Sequence, residues 1–182
     1  MDDNLKVFTI PGLYGSGPRH WQTRWETLYG FTRIEQSDWD NPQYWQWERS
    51  LHNHLGNETG KPSVLVAHSL GCHLVIKSYL QIKDWISGIL FVAPPDLGSG
   101  ILQKDLSDFK TDTSFVIDIP SYLVYSEDDP FASIEYSERL VNEFGLTAIN
   151  IGKKGHINSD SNLGDWDEGH FILKRLISKC LN

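Results

Sequence analysis

Short apolar runs alternate along the chain with longer segments whose apolar residues recur at helical spacing. Six runs rich in β-branched and aromatic residues predict strands, at residues 6–10, 31–36, 63–67, 88–92, 121–125 and 146–151. Several are almost continuously apolar (VLVA, ILFV and YLVY), which is typical of strands covered on both faces. The alternation predicts an α/β fold of about six mostly parallel strands with helices on both faces of the sheet.

The segments between the strands predict helices with recognisable ends. Four apolar stripes have helical spacing: Trp21, Trp25, Leu28 and Tyr29; Tyr44, Trp47, Leu51 and Leu55; Tyr136, Leu140, Val141 and Phe144; and Ile172, Leu176 and Cys180. Gly30 and Gly145 are predicted to end the first and third helices, because glycine readily adopts the left-handed conformation found there. Ser133 is predicted to cap the third helix. Pro42 is predicted to lie in the first turn of the second helix, which ends before Gly56.

One stretch, residues 94–120, interrupts this alternation. It is irregular and too long for a simple connection. Two interpretations stay open: a reduced lid beside a site, or a loosely ordered surface loop. Neither a linker nor an internal repeat divides the sequence, so residues 1–182 are predicted to form a single domain.

Composition argues against several classes of function. The 182 residues are 40% hydrophobic and 22% charged, as in an ordinary globular protein with a sizeable core. The formal net charge of −8 argues against nucleic acid or an anionic membrane as a partner, because polyanions require a basic surface. The two cysteines, Cys72 and Cys180, suit neither a disulfide framework nor a metal site.

The N-terminal residues predict the cellular location. They lack the basic and apolar regions of a secretory signal. No apolar run approaches the roughly 20 residues that a membrane-spanning helix needs. A cytoplasmic protein is therefore expected, and no pattern in the sequence indicates an oligomeric state.

Residues 64–71, VLVAHSLG, predict a strand that passes through a sharp turn into a helix. This pattern is similar to the nucleophile elbow of α/β-hydrolases, in which small residues lie two positions before and after the serine. Ala67 and Gly71 hold these positions around Ser69, where larger side chains would block the turn. Ser69 would begin a helix, whose free N–H groups favour a developing negative charge. A serine that only caps the helix is the alternative.

A nucleophilic serine requires a base, and seven histidines are available. His156 is the candidate, because it follows the last predicted strand, at the sheet edge where open parallel sheets bind ligands. His170, at the start of the last helix, is second. Local roles are expected for the others, as packing or solvent-facing residues at His68 and His73, and as surface or interface residues at His20, His52 and His54.

The loop after the fifth predicted strand offers three acids, Glu127, Asp128 and Asp129. An acid in this loop would orient the imidazole and stabilise its protonated form. The chain order serine, acid, histidine is that of α/β-hydrolases. An acidic turn before a helix is the alternative, and periodicity does not choose among the three acids.

Two backbone N–H groups are candidates for an oxyanion hole. One is Leu70, directly after the serine, and the other is Leu13, in the glycine-rich loop after the first strand. Gly12 would let that loop turn towards Ser69. The same loop lacks the lysine of a phosphate loop and the dinucleotide-binding spacing, so nucleotide binding is not predicted.

Further motifs extend over essentially the whole chain. They are PGL at 11–13, HWQTRWE at 20–26, VAHSLGC at 66–72, VAPPD at 92–96, DPF at 129–131 and GHIN at 155–158, with a tail containing Ser161, Gly164, Trp166, Glu168 and Gly169. Together they resemble the small serine hydrolases of the retinoblastoma-binding-protein-9 and YdeN type. The resemblance implies a compact α/β-hydrolase fold without a large cap domain. It also implies Ser69 as nucleophile, His156 as base and Asp129 as the orienting acid.

The expected function is hydrolysis of a small ester, thioester or activated amide through an acyl-enzyme intermediate. The expected partner is this small-molecule acyl substrate, and no metal or organic cofactor is required. A non-catalytic, hydrolase-like interaction module is the main alternative, and carbon–carbon lyase chemistry at the same residues is a third. Aromatic residues that could line an acyl pocket are Trp21, Trp39, Trp45 and Phe131, and packing is an equal alternative for each.

Overall fold

The six strands found in the described residues lie parallel in one sheet. The structure is a computed structural model that describes residues 5–57, 63–102, 104–111 and 115–181. The strands are β1 (Lys6–Ile10), β2 (Thr32–Arg33), β3 (Ser63–His68), β4 (Ile86–Val92), β5 (Ser121–Tyr125) and β6 (Thr147–Asn150). Their order is β2-β1-β3-β4-β5-β6, and each neighbouring pair is parallel. The predicted fold class is thus confirmed.

Helices cover both faces of this sheet. They are α1 (Trp21–Tyr29), α2 (Tyr44–Gly56), α3 (Leu70–Ile82), α4 (Ile134–Phe144) and α5 (Asp167–Cys180), with 3-10 turns at Lys83–Trp85, Ser107–Phe109 and Ser159–Ser161. Apolar side chains of α2, α3 and α4 pack on one face, and those of α1 and α5 on the other. Within the described ranges, no helix has the length and apolar character needed to cross a membrane.

The two cores follow from alternation along the strands. Leu65 and Phe91 point into the core beneath α2, α3 and α4, whereas Val66 and Leu90 point into the core beneath α1 and α5. Successive side chains of a strand face opposite sides of a sheet, so a strand covered twice must be apolar at every position. This explains the continuous apolar runs in the sequence.

Most predicted helix ends are confirmed. Gly30 and Gly145 adopt left-handed conformations, with φ of 71° and 70°, and end α1 and α4. Ser133 caps α4, since its hydroxyl oxygen accepts a hydrogen bond from the Tyr136 N–H at 3.1 Å. The prediction for Pro42 is wrong: α2 begins at Tyr44 after the cap residue Gln43, and it continues through Gly56.

The start of α2 and the extent of the second strand thus differ from the predictions. Pro42 precedes the helix because the backbone of Gln43 is extended, with φ of −121° and ψ of 124°, and the free N–H of Tyr44 donates to the Asp108 carboxylate at 2.7 Å. The second strand contains only Thr32–Arg33 rather than residues 31–36. It lies at the sheet edge and pairs with β1 through two residues, after which Ile34 turns into the core. The apolar residues in this range, Phe31 and Ile34, are therefore buried just before and just after a short edge strand.

The irregular segment 94–120 packs onto the helices of one face. The Phe109 side chain is fully buried, and its ring meets that of Trp47 edge-on at 5.4 Å. The Ile117 N–H donates to the Phe144 carbonyl at 3.0 Å, which ties the segment to the end of α4. Leu102 borders the cavity that contains Ser69. The described part of segment 94–120 thus covers the helices and contributes one residue, Leu102, to the cavity. Residues 103 and 112–114 lie outside the described residues.

The close approach of Gly71 to the end of β1 can be tested by adding one methyl group at this position. A Cβ at this position would clash with the Ile10 carbonyl oxygen and would lie 2.8 Å from that of Pro11, both on backbone that cannot swing aside. We expect Gly71→Ala to lower the free energy of unfolding by about 1–3 kcal/mol in urea denaturation.

Gly56→Ala is the matched control for this prediction. Gly56 is the last residue of α2, and a Cβ there would meet no atom within 4 Å. Alanine should leave stability unchanged or raise it by up to about 1 kcal/mol, because it favours helix. Equal effects at the two glycines would contradict the close approach at Gly71.

Candidate active site

Ser69 occupies a strained turn between β3 and α3. Its φ is 54° and its ψ is −125°, a conformation that residues with a side chain rarely adopt. The Ser69 N–H donates to the Val92 carbonyl at 3.0 Å, and the Cys72 N–H donates to the Ser69 carbonyl at 2.9 Å. The turn is therefore fixed from both sides. Gly71 is small because β1 ends directly against it, as the clash with the Ile10 carbonyl shows.

Hydrogen bonds connect Ser69, His156 and Asp129. The Ser69 hydroxyl lies 2.8 Å from His156 Nε2. His156 Nδ1 lies 3.0 Å and 2.9 Å from the two carboxylate oxygens of Asp129. A carboxylate only accepts, so Nδ1 carries the proton and Nε2 is left to accept from the serine. The side chains of His156 and Asp129 are only 8% and 3% exposed, so water competes little for these bonds.

The structure assigns different contacts to the three acids after β5. Asp129 contacts His156, and its Oδ1 also accepts from the Phe131 N–H at 2.9 Å. Asp128 instead accepts from the Gly155 N–H and from the Ser126 hydroxyl, each at 2.8 Å. These two hydrogen bonds, that of Gly155 first, lower the pKa of the Asp128 carboxyl. Asp128 thus joins the β5 loop to the β6 loop, while Asp129 meets the imidazole.

The third acid, Glu127, lies away from the imidazole. It accepts a hydrogen bond from the Asn150 side chain at 3.2 Å in an exposed contact. The His170 alternative is not brought to Ser69, because its ring stacks on that of Tyr29 at 3.8 Å in the α1–α5 layer. Of the residues weighed from the sequence, Asp129 and His156 are the ones that the structure brings to the serine.

The loop after β1 approaches the elbow as closely as backbone allows. A Cβ at Gly12 would lie 2.7 Å from the Ser69 Cβ and 2.9 Å from the Leu70 nitrogen. Glycine is therefore required there for steric reasons. Among the described residues, neither the Leu13 N–H nor the Leu70 N–H donates a backbone hydrogen bond outside regular helices and strands. Leu13 lines the cavity at Ser69 and Leu70 directly follows the serine, and the oxyanion role of their N–H groups stays a prediction.

A cavity of about 260 Å³ opens on Ser69. Apolar side chains form part of its wall and polar groups the remainder, and the lining residues are Gly12, Leu13, Tyr14, Gly15, His20, His68, Ser69, Leu102, Phe131, His156, Asn158 and Ser159. A second cavity of about 270 Å³, beside His73 and Tyr136, contains none of the three hydrogen-bonded residues. The Ser69 cavity is therefore the candidate substrate site.

Of the four aromatic residues considered for an acyl pocket, Phe131 lines the Ser69 cavity. Its ring meets that of His156 edge-on at 4.7 Å. Trp21 is buried in the core, Trp45 is 53% exposed, and Trp39 packs against Gly15. Packing is thus the observed role for Trp21 and Trp39.

His20 was expected on an early helix as a surface or interface residue, and the surface role is wrong. It is the cap residue before α1, where its Nδ1 accepts from the Gln22 N–H at 3.2 Å, and it is only 4% exposed. Burial, helped by Arg33 and His156, lowers its pKa to about 3. Its position directly before the apolar stripe of α1 was the available signal, but histidine is not among the preferred cap residues.

Of the two roles expected for His68, packing and solvent exposure, the structure shows packing. His68 also contacts His156. Its Nε2 donates to the His156 carbonyl at 3.0 Å, and its ring lies 5.1 Å from the His156 ring. Complete burial lowers its pKa well below the usual value. His20 and His68 are therefore neutral rings beside His156. Sequence reasoning missed this cluster because its members come from three places far apart in the chain, namely the cap of α1, the end of β3 and the loop after β6.

The sequence profile of the serine hydrolase family matches residues 7–175. The chain belongs to this family. No curated protein sequence matches this serine hydrolase. Its similarity to solved structures extends over nearly its whole length, and these structures support the fold.

A protein described as a YdeN-like hydrolase, from Pectobacterium atrosepticum, has a TM-score of 0.82 and 25% identity over 97% of this chain and 91% of its own. The ydeN gene product of B. subtilis has a TM-score of 0.75 and 19% identity, over 96% and 99%. Alpha/beta hydrolase domain-containing protein 10 from mouse has a TM-score of 0.66 and 14% identity, over 93% and 90%. The α/β-hydrolase fold and the likeness to small YdeN-type hydrolases are confirmed.

The buried neutral state of His20 predicts acid sensitivity. An unfolded histidine takes up a proton near pH 6.5, whereas folded His20 does so only near pH 3. The unfolded state binds more protons between these values, so stability must fall as the pH falls through this window. Each such histidine contributes up to about 1.4 kcal/mol per pH unit.

His20→Asn keeps a cap acceptor and removes one titrating ring. We expect urea unfolding between pH 6.5 and 4.5 to show a slope smaller by about 1.4 kcal/mol per pH unit in this variant. Thr27→Ala, on the exposed side of α1, should keep the slope of the original protein. An unchanged slope in His20→Asn would contradict a neutral buried ring.

Proposed function

We propose that this serine hydrolase cleaves a small ester, thioester or activated amide by transferring its acyl group through Ser69 to water. The observation that carries the proposal is the unbroken run of hydrogen bonds from Ser69 through His156 to Asp129. Each atom in this run has the hydrogen-bonding role that acyl transfer requires.

The first half of the reaction forms the acyl-enzyme. Ser69 Oγ bonds to the carbonyl carbon of the substrate while its proton passes to His156 Nε2. Asp129 stays ionised, holds the proton on Nδ1 and stabilises the imidazolium. The bond to the leaving group then breaks, and the leaving group takes the proton from Nε2.

The second half releases the acid. Water gives a proton to His156 Nε2 and attacks the acyl carbon, and the bond to Ser69 Oγ breaks as the proton returns to the serine. The N–H groups of Leu13 and Leu70 would stabilise the oxyanion in both halves. The close approach of Gly12 to Ser69 and Leu70 supports this assignment, because it brings the loop of Leu13 against the start of α3.

The cavity supports a small substrate. Its volume of about 260 Å³ lies slightly below the usual range for ligand pockets. Leu13, Leu102 and Phe131 provide apolar contacts for an acyl group, and His156 lies where a leaving group must be protonated. Hydrolysis of short acyl chains is therefore the proposed activity.

Ser69→Ala should abolish both labelling by a fluorophosphonate probe and hydrolysis of p-nitrophenyl acetate. The expected loss in kcat is about 10⁴-fold or more, because the serine, base and acid act as a unit. Mass spectrometry of the labelled peptide would locate the adduct.

Ser37→Ala is the control, since Ser37 is an exposed serine that donates a hydrogen bond to Gln46 Oε1 and does not line the Ser69 cavity. It should retain labelling and most of the activity. Absence of labelling in the original protein would favour the non-catalytic interaction module, and cleavage of a carbon–carbon bond in product analysis would favour the lyase.

Asp129→Asn should lower kcat by about 10⁴-fold, because an amide in this position favours the wrong imidazole tautomer. Asp128→Asn is its matched neighbour: it weakens the contact with the Gly155 N–H but leaves the carboxylate on His156 in place. We therefore expect a much smaller loss of kcat in Asp128→Asn. The reverse ranking, measured with the same ester, would reject Asp129 as the orienting acid.

A further inference from the structure

The loop that carries His156 has left-handed backbone on both sides of the histidine. Gly155 has a φ of 56°, and Ile157 has a φ of 50°. Glycine tolerates this region, but a β-branched residue such as isoleucine is an outlier there. A strained conformation persists only when its surroundings hold it. Something in the fold must therefore fix this loop.

Two consecutive carbonyl groups of the loop accept hydrogen bonds from buried side chains. His68 Nε2 donates to the carbonyl of His156 at 3.0 Å. Trp21 Nε1 donates to the carbonyl of Ile157 at 2.7 Å. The donors are 5% and 1% exposed, so little water is available to replace either bond.

The donors lie on parts of the fold that hold them rigidly. His68 is the last residue of β3, directly before Ser69, and Trp21 is the first residue of α1. Their rings meet edge-on, with centroids 5.9 Å apart. A carbonyl only accepts, so His68 Nε2 must carry a proton. The Ile157 side chain is itself fully buried in the same apolar core as Trp21.

We propose that His68 and Trp21 are positioning residues, which hold the strained loop so that His156 reaches Ser69 and Asp129 at the same time. The inference rests on the proposed function, since it assigns the two residues a role in aligning the base. His68 directly precedes Ser69 and donates a hydrogen bond to the main chain of His156. The nucleophile and the base are therefore held relative to each other.

The chain contains a matched control for Trp21. Trp25 lies one turn further along α1, is fully buried in the same core, and donates from Nε1 to the Asp165 carbonyl at 2.6 Å. Asp165 does not line the Ser69 cavity. Trp21→Phe and Trp25→Phe thus remove the same indole N–H and similar volume from the same core, but only the first frees the loop of His156.

The experiment compares these two variants with the original protein, using p-nitrophenyl acetate and expressing activity per folded molecule. We expect Trp21→Phe to lower kcat by about tenfold with little change in KM, because small misplacements of reacting groups are costly. Trp25→Phe should lose similar thermal stability and keep its kcat. Equal kcat in the two variants would overturn the proposal.

A second pair of variants tests His68 and avoids reliance on a single tryptophan. Gln at position 68 can still donate a hydrogen bond to the His156 carbonyl, whereas Leu cannot. We expect His68→Gln to retain most of the kcat that His68→Leu loses. Equal losses in the two variants would count against the hydrogen bond.

Proton NMR separates failure of this inference from failure of the proposed function. The Nδ1–H of His156 that donates to Asp129 should give a downfield resonance whether or not the protein hydrolyses esters. Trp21→Phe and His68→Leu should broaden or shift this resonance, and Trp25→Phe should not. If the original protein takes no fluorophosphonate label, the proposed function fails while this resonance still tests the alignment. An unchanged resonance in both test variants would overturn the alignment role.

Discussion

The parallel direction of all six strands is the constraint on which the rest of the structure depends. The pairings Ile10 with Ala67 and Val92 with Val124 bring the ends of β1, β3, β4 and β5 to one level, and Tyr125 pairs with Asn150 of β6. Loops that leave these ends must therefore meet at one edge. Ser69 and His156, which are 87 positions apart in the chain, come within hydrogen-bond distance for this reason.

Strain and buried polar groups concentrate at this edge. Ser69 and Ile157 both have positive φ, and His20 and His68 are held neutral although water would let them titrate. Each feature costs free energy locally. The cost is offset by two large apolar cores, one on each side of the sheet, which keep the loops in a single arrangement. The arrangement of Ser69 and His156 thus depends on apolar packing far from the serine.

Features that depend on residues close together in the chain were predicted correctly, whereas features that depend on distant residues were not. Strand and helix positions were predicted well where burial on both faces or a glycine end left a local pattern, as in α1 and α4. Pro42 was misplaced because the extended conformation of Gln43 leaves no periodic pattern, and residues 31–36 were misplaced because the edge position of β2 is not encoded nearby. Ser69 was found from a local motif and His156 from its place after the last strand.

By itself, the sequence determined the alternation of strands and helices, the elbow at Ser69 and the order of the reactive residues. These features depend on neighbours within a few positions, so periodicity and small residues reveal them. The family resemblance implied Asp129, but periodicity left all three acids open. Only the tertiary structure decided that Asp129 contacts the imidazole while Asp128 holds the loop, and that His20 and His68 lie buried beside the imidazole. The spacing of adjacent acids does not show where each side chain points, because this is fixed by contacts between loops far apart in the chain.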